Sequence, residues 1–269
     1  MTKFSLLMCV YEKENPSYLS QCIDSITTQT ILPNEWIIVK DGPLTEELES
    51  VLGNIQFPNE LIIITLPVNV TQGPARAAGV EAAKYQWIAI IDSDDICQPD
   101  RFEKQLLMIE KEPRLGLIGG QIAEFDNDPD RTATTRYVPT NHDDILNFAK
   151  KRNPFNQMTV MFKRDLALKA GNYRYFPWFE DYDLWSRMIK NGVTCANHPG
   201  VLVKARVGSG MYSRRRGKSY IRSEWRMQRQ LRKLGMTNVF RFSVNTVARI
   251  PVRLLPGNML AKVYKRFLR

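Results

Sequence analysis

The chain has 269 residues, 43% of them hydrophobic, enough to bury one large α/β domain or a domain with an appendage, and it carries a net charge of +10. Its four cysteines, Cys9, Cys22, Cys97 and Cys195, form no C-x-x-C pair and have only His142 and His198 to complement them, which argues against a zinc centre and for a reducing compartment. No apolar run approaches the roughly 18 residues of a membrane span, and Met1 to Tyr11 runs straight into Glu12-Lys13-Glu14 without a small-residue cleavage site, as a first strand would rather than a signal peptide.

The charge is unevenly spread. From Val201 to Arg269 there are 18 Lys and Arg against one acidic residue, Glu224, whereas the first 200 residues hold 20 basic and 27 acidic side chains. A mildly acidic body with a strongly basic tail calls for an anionic partner at the tail, either nucleic acid or a lipid surface.

In chain order, Phe4 to Val10 has the composition of a buried strand, and Pro16 to Thr28 that of a helix with Leu19, Cys22, Ile23 and Ile26 on one face. Trp36 to Val39 is a second strand ending at Lys40-Asp41-Gly42-Pro43, Thr45 to Leu52 a helix, and Leu61 to Ile64 a third strand. Gln72 to Lys84 opens with turn residues and continues as a small-residue helix able to pack closely on a sheet. Trp87 to Ile91 is a fourth strand that stops in three carboxylates, Asp92, Asp94 and Asp95, spaced by Ser93. Such a cluster repels itself unless a positive charge joins it, and a hard divalent cation that also takes phosphate oxygens suits it. Strands alternating with helices predict a mostly parallel sheet, whose polar strand ends at Asp41 and at Asp92 to Asp95 share the edge where such sheets bind ligands. An acidic loop that caps the next helix is the plain alternative.

Farther on, Pro99 to Glu110 is a predicted helix, Leu115 to Phe125 strand-like, Asp126 to Asp130 a turn, Asn141 to Lys150 a short helix capped by Asn141, and Met158 to Phe162 a strand. Trp178-Phe179-Glu180-Asp181 opens another helix. Its buried face is set by Leu184, Trp185, Met188 and Ile189, with Asp181 inside that arc and Asp183 outside it. A carboxylate aimed at the body is costly without a purpose, so Asp181 is a candidate catalytic group, although acidic residues also suit the first turn of any helix. Ser219 to Leu234 and Asn258 to Arg269 are two basic helices. The second sets Met259, Leu260, Val263, Tyr264, Phe267 and Leu268 against Lys262, Lys265, Arg266 and Arg269, the pattern of a helix lying in a membrane interface or, alternatively, packed on the body.

Five of these stretches, Val10-Tyr11, Asp41-Gly42, Gly73 to Gly79 with Arg76, Asp92 to Asp95, and Glu180-Asp181 with Leu184 and Trp185, together resemble glycosyltransferase family 2 over about residues 3 to 210. The resemblance implies an α/β GT-A fold, with residues 1–100 binding a nucleotide-sugar and 101–210 binding the acceptor, while charge and helical period make residues 211–269 a basic amphipathic tail. The resemblance also implies an inverting hexosyltransferase that uses a UDP-sugar to extend a saccharide in O-antigen, capsule or exopolysaccharide synthesis, and the membrane-seeking tail suits an acceptor carried on a polyprenyl lipid. By that resemblance Val10 and Tyr11 lie at the nucleobase, which Tyr11 stacks on and Asp41 hydrogen-bonds. Arg76 meets ribose or phosphate, Asp92, Ser93 and Asp94 meet the donor, and Asp92, Asp94 and Asp95 hold Mn2+ or Mg2+. Asp181 is the general base, and Glu180, Trp178, Asn156 and Arg206 are further candidates.

The chain departs from the family pattern in three places. Lys40 stands where many members have a first aspartate, Val203 to Gly210 lacks the usual histidine, and Gln157 stands where a histidine is expected near the acceptor. Arg206 or the run Arg214 to Arg216 would supply the positive charge instead. The expected location is the cytoplasmic face of the membrane, reached through residues 211–269, with no nucleic-acid partner. Two other classes stay open. A nucleotidyltransferase acting on a sugar phosphate would need a Gly-rich loop where Tyr11 to Pro16 stands, and a non-catalytic nucleic-acid-binding protein would leave the acidic strand ends idle.

Overall fold

The computed structural model describes residues 2–208 and 217–250. Strand β1 (Phe4–Val10) sends Leu6, Met8 and Val10 into one core layer and Leu7 into the other, so it is buried on both faces. Only a strand with helices above and below can be continuously apolar in this way. It pairs in parallel with β2 (Glu35–Lys40) and β4 (Trp87–Asp92), and β2 pairs in parallel with β3 (Glu60–Thr65), which places the leading strands in the order 3-2-1-4.

The crossover helices are α1 (Pro16–Thr27), α2 (Glu46–Gly53) and α3 (Gln72–Ala82). Asn15 caps α1 by accepting from the N–H groups of Ser17 and Tyr18, and Thr45 caps α2 through Leu48 N–H. The small residues of α3 let it lie close to the sheet, since a Cβ at Gly79 would overlap Leu7 Cδ1.

The second half makes the sheet mixed. It comprises β5 (Ile96–Cys97), α4 (Arg101–Lys111), β6 (Leu115–Phe125), β7 (Thr132–Arg136), α5 (His142–Ala149), β8 (Met161–Lys163), α6 (Arg164–Lys169), α7 (Glu180–Lys190) and β9 (Thr194–Arg206). Strand β8 runs antiparallel to both β4 and β6, while the long β9 runs parallel to β6. Leu115 to Phe125 forms one strand buried along its whole length, and the strand expected from Met158 starts at Met161 because a 3-10 turn, Gln157–Thr159, precedes it.

Two further helices, α8 (Gly217–Lys233) and α9 (Val239–Arg249), return over the body, and the second of them had no counterpart among the sequence expectations. Tyr220, Met227 and Leu231 of α8 pack with Phe176, Phe179 and Tyr182, and Asn245 of α9 donates to Lys150 O at 3.0 Å. The basic run Arg214 to Arg216 and the helix expected from Asn258 to Arg269 lie outside the described residues.

Candidate active site

Parallel pairing puts the ends of β1, β2 and β4 on one edge, with Val10 level with Lys40 and Cys9 level with Asp92. Val10 is buried in the strand and accepts Asp41 N–H at 2.8 Å, and Tyr11 just beyond it is 38% exposed. Asp41 is buried and accepts from Val70 N–H at 2.7 Å, so it also fastens the loop that leads into α3. Burial raises its carboxyl above the ordinary range, against the backbone N–H groups of Val70 and Thr71 that lower it.

Arg76 is the hinge of the site. It projects from α3, is almost wholly buried, and its Nη2 donates to Asp92 Oδ1 at 2.6 Å while Nη1 donates to Glu180 Oε1 at 3.0 Å. Burial opposes its charge, but the two carboxylates outweigh burial and hold the guanidinium protonated. The resemblance to known enzymes would aim Arg76 at the donor; here it ties the end of β4 to the start of α7. Gly73, one turn earlier, lets this happen, because a Cβ there would run into Arg174 O.

Asp181 sits beside this pair with Oδ1 accepting Tyr182 N–H and Oδ2 accepting Asn153 Nδ2, both at 2.6 Å. Burial lifts its carboxyl above the ordinary range, as suits a proton acceptor at neutral pH. Asp183, which the helical wheel set outside the buried arc, is instead 2% exposed and ion-paired with Arg187 at 2.8 Å. The wheel failed because α7 is covered on more than one side. Trp178, two residues before α7, has φ of 73°, a left-handed conformation that is strained for so large a side chain, and it packs on Tyr220 at 5.7 Å.

At the end of β4, Asp95 Oδ1 accepts Arg206 N–H at 2.8 Å, and Ser93 Oγ donates to Glu14. Arg206 lies over the Tyr18 and Phe125 rings at 3.8 and 4.5 Å and donates to Asp94 O, which sets it beside the acidic cluster. Burial, followed by repulsion from Glu14 and Asp92, pushes the Asp94 carboxyl up to about 7, and burial, against Arg76, pushes Glu180 up to about 7.

A cavity of about 930 Å³ brings together Arg76, Asp92, Trp178, Glu180, Asp181 and Arg206. Val10, Tyr11, Asp41, Ser93, Asp94 and Asp95 lie at the strand ends rather than in its wall. Asn156 is also outside it, 1% exposed with Nδ2 donating to Gly120 O at 2.8 Å, which is a structural position. Gln157 does line the cavity and donates to Tyr173 Oη at 3.0 Å. Several lining residues escaped the sequence reading: Asn153, Arg136, Tyr220, Glu224 and Arg249. Of these only Glu224 carried a signal, as the one acidic residue of the tail; it is buried and paired with Arg249 at 3.3 Å.

Residues 5–171 match the family model described as Glycosyl transferase family 2. The chain belongs to glycosyltransferase family 2. It is 40% identical over 99% of both chains to an uncharacterized glycosyltransferase of Haemophilus influenzae, and 37% identical over 98% of both to the amylovoran biosynthesis glycosyltransferase AmsE of Erwinia amylovora. It is 33% identical, over 99% of this chain and 97% of the other, to the UDP-Gal:alpha-D-GlcNAc-diphosphoundecaprenol beta-1,3-galactosyltransferase of Escherichia coli. It is thus a glycosyltransferase of the type found in surface polysaccharide synthesis. Its fold is similar to that of S. aureus TarS 1-349 in complex with UDP-GlcNAc, with a TM-score of 0.69 at 14% identity over 94% of this chain and 72% of the other. It is also similar to that of the mannosyltransferase PcManGT of Pyrobaculum calidifontis in complex with GDP-Man and Mn2+, with a TM-score of 0.65 at 15% identity over 98% and 75%.

The raised carboxyls of this glycosyltransferase have a consequence for stability. Glu180 and Asp94 rise from ordinary values of 4.5 and 3.8 to about 7, so the folded chain holds protons that the unfolded chain has released. Their contribution is complete below the unfolded values and is lost as pH climbs through 7. The thermal midpoint of the ligand-free protein should therefore fall between pH 4.5 and pH 7, and Asp94→Asn should flatten that slope. A midpoint that rises over the same interval contradicts the assignment.

Proposed function

We propose that this glycosyltransferase is inverting and metal-dependent, and that it moves a sugar from a UDP-sugar to a saccharide hydroxyl on a polyprenyl-linked acceptor. The observation that carries this reading is the meeting of Asp92, at the end of a donor-side strand, with Asp181, at the head of α7, in one cavity and joined through Arg76 and Glu180. Tyr11 and Asp41 stand at adjacent strand ends, where a nucleobase would stack on the tyrosine and hydrogen-bond the aspartate. Asp181 takes the proton of the acceptor hydroxyl as that oxygen attacks the anomeric carbon from the face opposite the leaving diphosphate, and direct attack inverts the configuration. Residues 1–100 would serve the donor and 101–210 the acceptor, with α8 from the tail closing the acceptor side through Tyr220 and Glu224.

The donor set fits a hard cation held by few protein ligands. Among the described residues no three His, Cys, Asp or Glu are grouped to hold a metal alone, with Asp92 engaged by Arg76 and Asp95 by Arg206 N–H. The Asp94 carboxylate, unlike its backbone carbonyl, accepts no hydrogen bond from another described residue, and a cation beside it would offset the burial and the repulsion from Glu14 and Asp92 that raise its carboxyl. Asp92 and Asp94, beside Asp95, would hold Mn2+ or Mg2+, and a cation there would supply positive charge against the departing diphosphate. The Mn2+ in PcManGT supports this reading.

The test is a screen of sugar nucleotides for transfer and hydrolysis with Mn2+ and with EDTA. Asp94→Ala should weaken UDP binding in Mn2+ by at least about tenfold and leave binding in EDTA unchanged, since only the cation-bridged fraction of affinity is lost. Full activity in EDTA would defeat metal dependence.

The basic tail would hold the enzyme on the cytoplasmic face of the membrane, as an acceptor on a lipid carrier requires. Val239, Phe240, Val244 and Val247 of α9 are exposed, and among the described residues no helix is long and apolar enough to cross a membrane. Each basic residue near an anionic leaflet contributes about 1 kcal/mol. Deleting residues 251–269, which keeps Arg249 on Glu224, should release the protein from phosphatidylglycerol vesicles at physiological salt. Equal adsorption by full and shortened chains would return the tail to a packing role.

A further inference from the structure

Helix α8 has two unlike faces. Tyr220, Glu224, Met227, Gln228 and Leu231 are buried toward the body, with Tyr220 and Glu224 in the cavity wall. On the other side Arg222, Arg226, Arg229 and Lys233 recur at i, i+4, i+7 and i+11, one stripe of an α-helix, and all four are exposed. With Arg174 and Trp225 they line a groove of about 430 Å³. The carboxylate in that groove, Asp183, is already paired with Arg187. Among the described residues no ion pair joins any of the five cations to a carboxylate. Residues 209–216 and 251–269 contain no Asp or Glu, so no acidic side chain from those segments can neutralise them.

Like charges at i,i+4 repel and destabilise a helix, so the stripe is unfavourable until an anion occupies it. Two of the guanidinium groups are already held in place by aromatic rings, Arg226 at 4.6 Å from Phe176 and Arg229 at 4.7 Å from Trp225. Fixing donors before the ligand arrives lowers the entropy lost on binding. Phe176 lines both this groove and the active-site cavity.

We propose that the groove binds the diphosphate that joins the acceptor sugar to its lipid carrier. The proposal rests on the acceptor reading above. A sugar whose hydroxyl reaches Asp181 carries its diphosphate about one ring away, and the groove adjoins the cavity at a single side chain, Phe176. Arg174 comes from the segment before α7 and the other four cations from α8, so positive charge converges from two walls. A compact multivalent anion uses both walls, whereas a planar layer of head groups needs only the outer stripe. Planar guanidinium groups match phosphate oxygens in pairs, and the exposed Trp225 ring offers apolar contact to the first carbons of the lipid.

The probe is farnesyl diphosphate, titrated calorimetrically into the full-length protein at physiological salt with the donor site saturated by UDP and Mn2+. Arg222→Gln/Arg229→Gln should bind it about 10- to 100-fold more weakly than the native chain, through the loss of two charge-assisted contacts, while UDP affinity stays unchanged and shows the variant is folded. Adsorption to phosphatidylglycerol vesicles should fall far less than it does on deletion of residues 251–269. Unchanged farnesyl diphosphate affinity overturns the proposal, and so does a variant that loses vesicle adsorption alone, which would make the groove a head-group patch. Transfer assays separate this from the acceptor reading. A native chain that binds the diphosphate through these arginines but transfers no sugar sinks that reading and keeps the groove as a diphosphate site. A native chain that transfers sugar to diphosphate-linked acceptors, with a preference over neutral glycosides that the double variant retains, sinks the groove alone.

Discussion

Asp181→Asn should lower the rate of sugar transfer by about 10²- to 10⁴-fold while donor affinity stays within about twofold of the native value. The substitution keeps the shape of the side chain and removes its ability to take a proton. Oδ1 would still accept Tyr182 N–H, so the first turn of α7 keeps its hydrogen bond. The new amide nitrogen would face Asn153 Nδ2, two donors opposed, and the cost of that contact falls on the loop before Phe155 rather than on the donor side. The diagnostic is the split between rate and binding. UDP affinity from calorimetry and the single-turnover rate with donor and acceptor both saturating separate the two. A joint collapse of rate and donor binding would make Asp181 a structural residue of the helix start and leave the base unassigned.

Arg76→Met should destabilise the fold by about 3 kcal/mol, the lower end of what is seen when a buried ion pair loses one partner. The lower end applies because Asp92 is partly exposed, with 22% of its side chain accessible, and because Glu180 can take up a proton. The loss should shrink in a Glu180→Gln background, where one fewer carboxylate is left uncompensated. Urea unfolding of the four proteins of this double-mutant cycle measures the coupling. A loss under about 1 kcal/mol, or a loss equal in both backgrounds, would show that Arg76 is not what holds α7 to β4. The same pairing predicts a kinetic signature. Removing Arg76 frees Asp92 and loosens the helix that carries Asp181, so rate and donor affinity should fall together, unlike Asp181→Asn.

Much of the architecture was legible in the chain itself. Phe4 to Val10, Trp36 to Val39, Leu61 to Ile64 and Trp87 to Ile91 have strand length and apolar character, and Pro16, Thr45 and Asn141 sit where helices begin. Parallel strands joined by helical crossovers must all end on the same edge of the sheet, so the clustering of Asp41 with Asp92 to Asp95 followed from local patterns alone. These features depend on period, on turn residues and on connection handedness, which act over a few residues.

What the tertiary structure decided were the partners of the charged groups. Arg76 meets Asp92 and Glu180 across 16 and 104 residues of sequence, and no local pattern distinguishes a guanidinium aimed at a ligand from one aimed at two carboxylates. Asp183 is buried because several elements cover α7, whereas a helical wheel built from Leu184 to Ile189 assumes one covered face. The tail gave the same lesson on a larger scale. Its basic composition and helical period were plain, but that α8 turns Tyr220 and Glu224 into the cavity and a stripe of cations outward depends on packing against Phe176, Phe179 and Tyr182. Periodicity determines which residues share a face; which face is buried depends on the free energy of contacts between distant segments, and these exist only once the chain has folded.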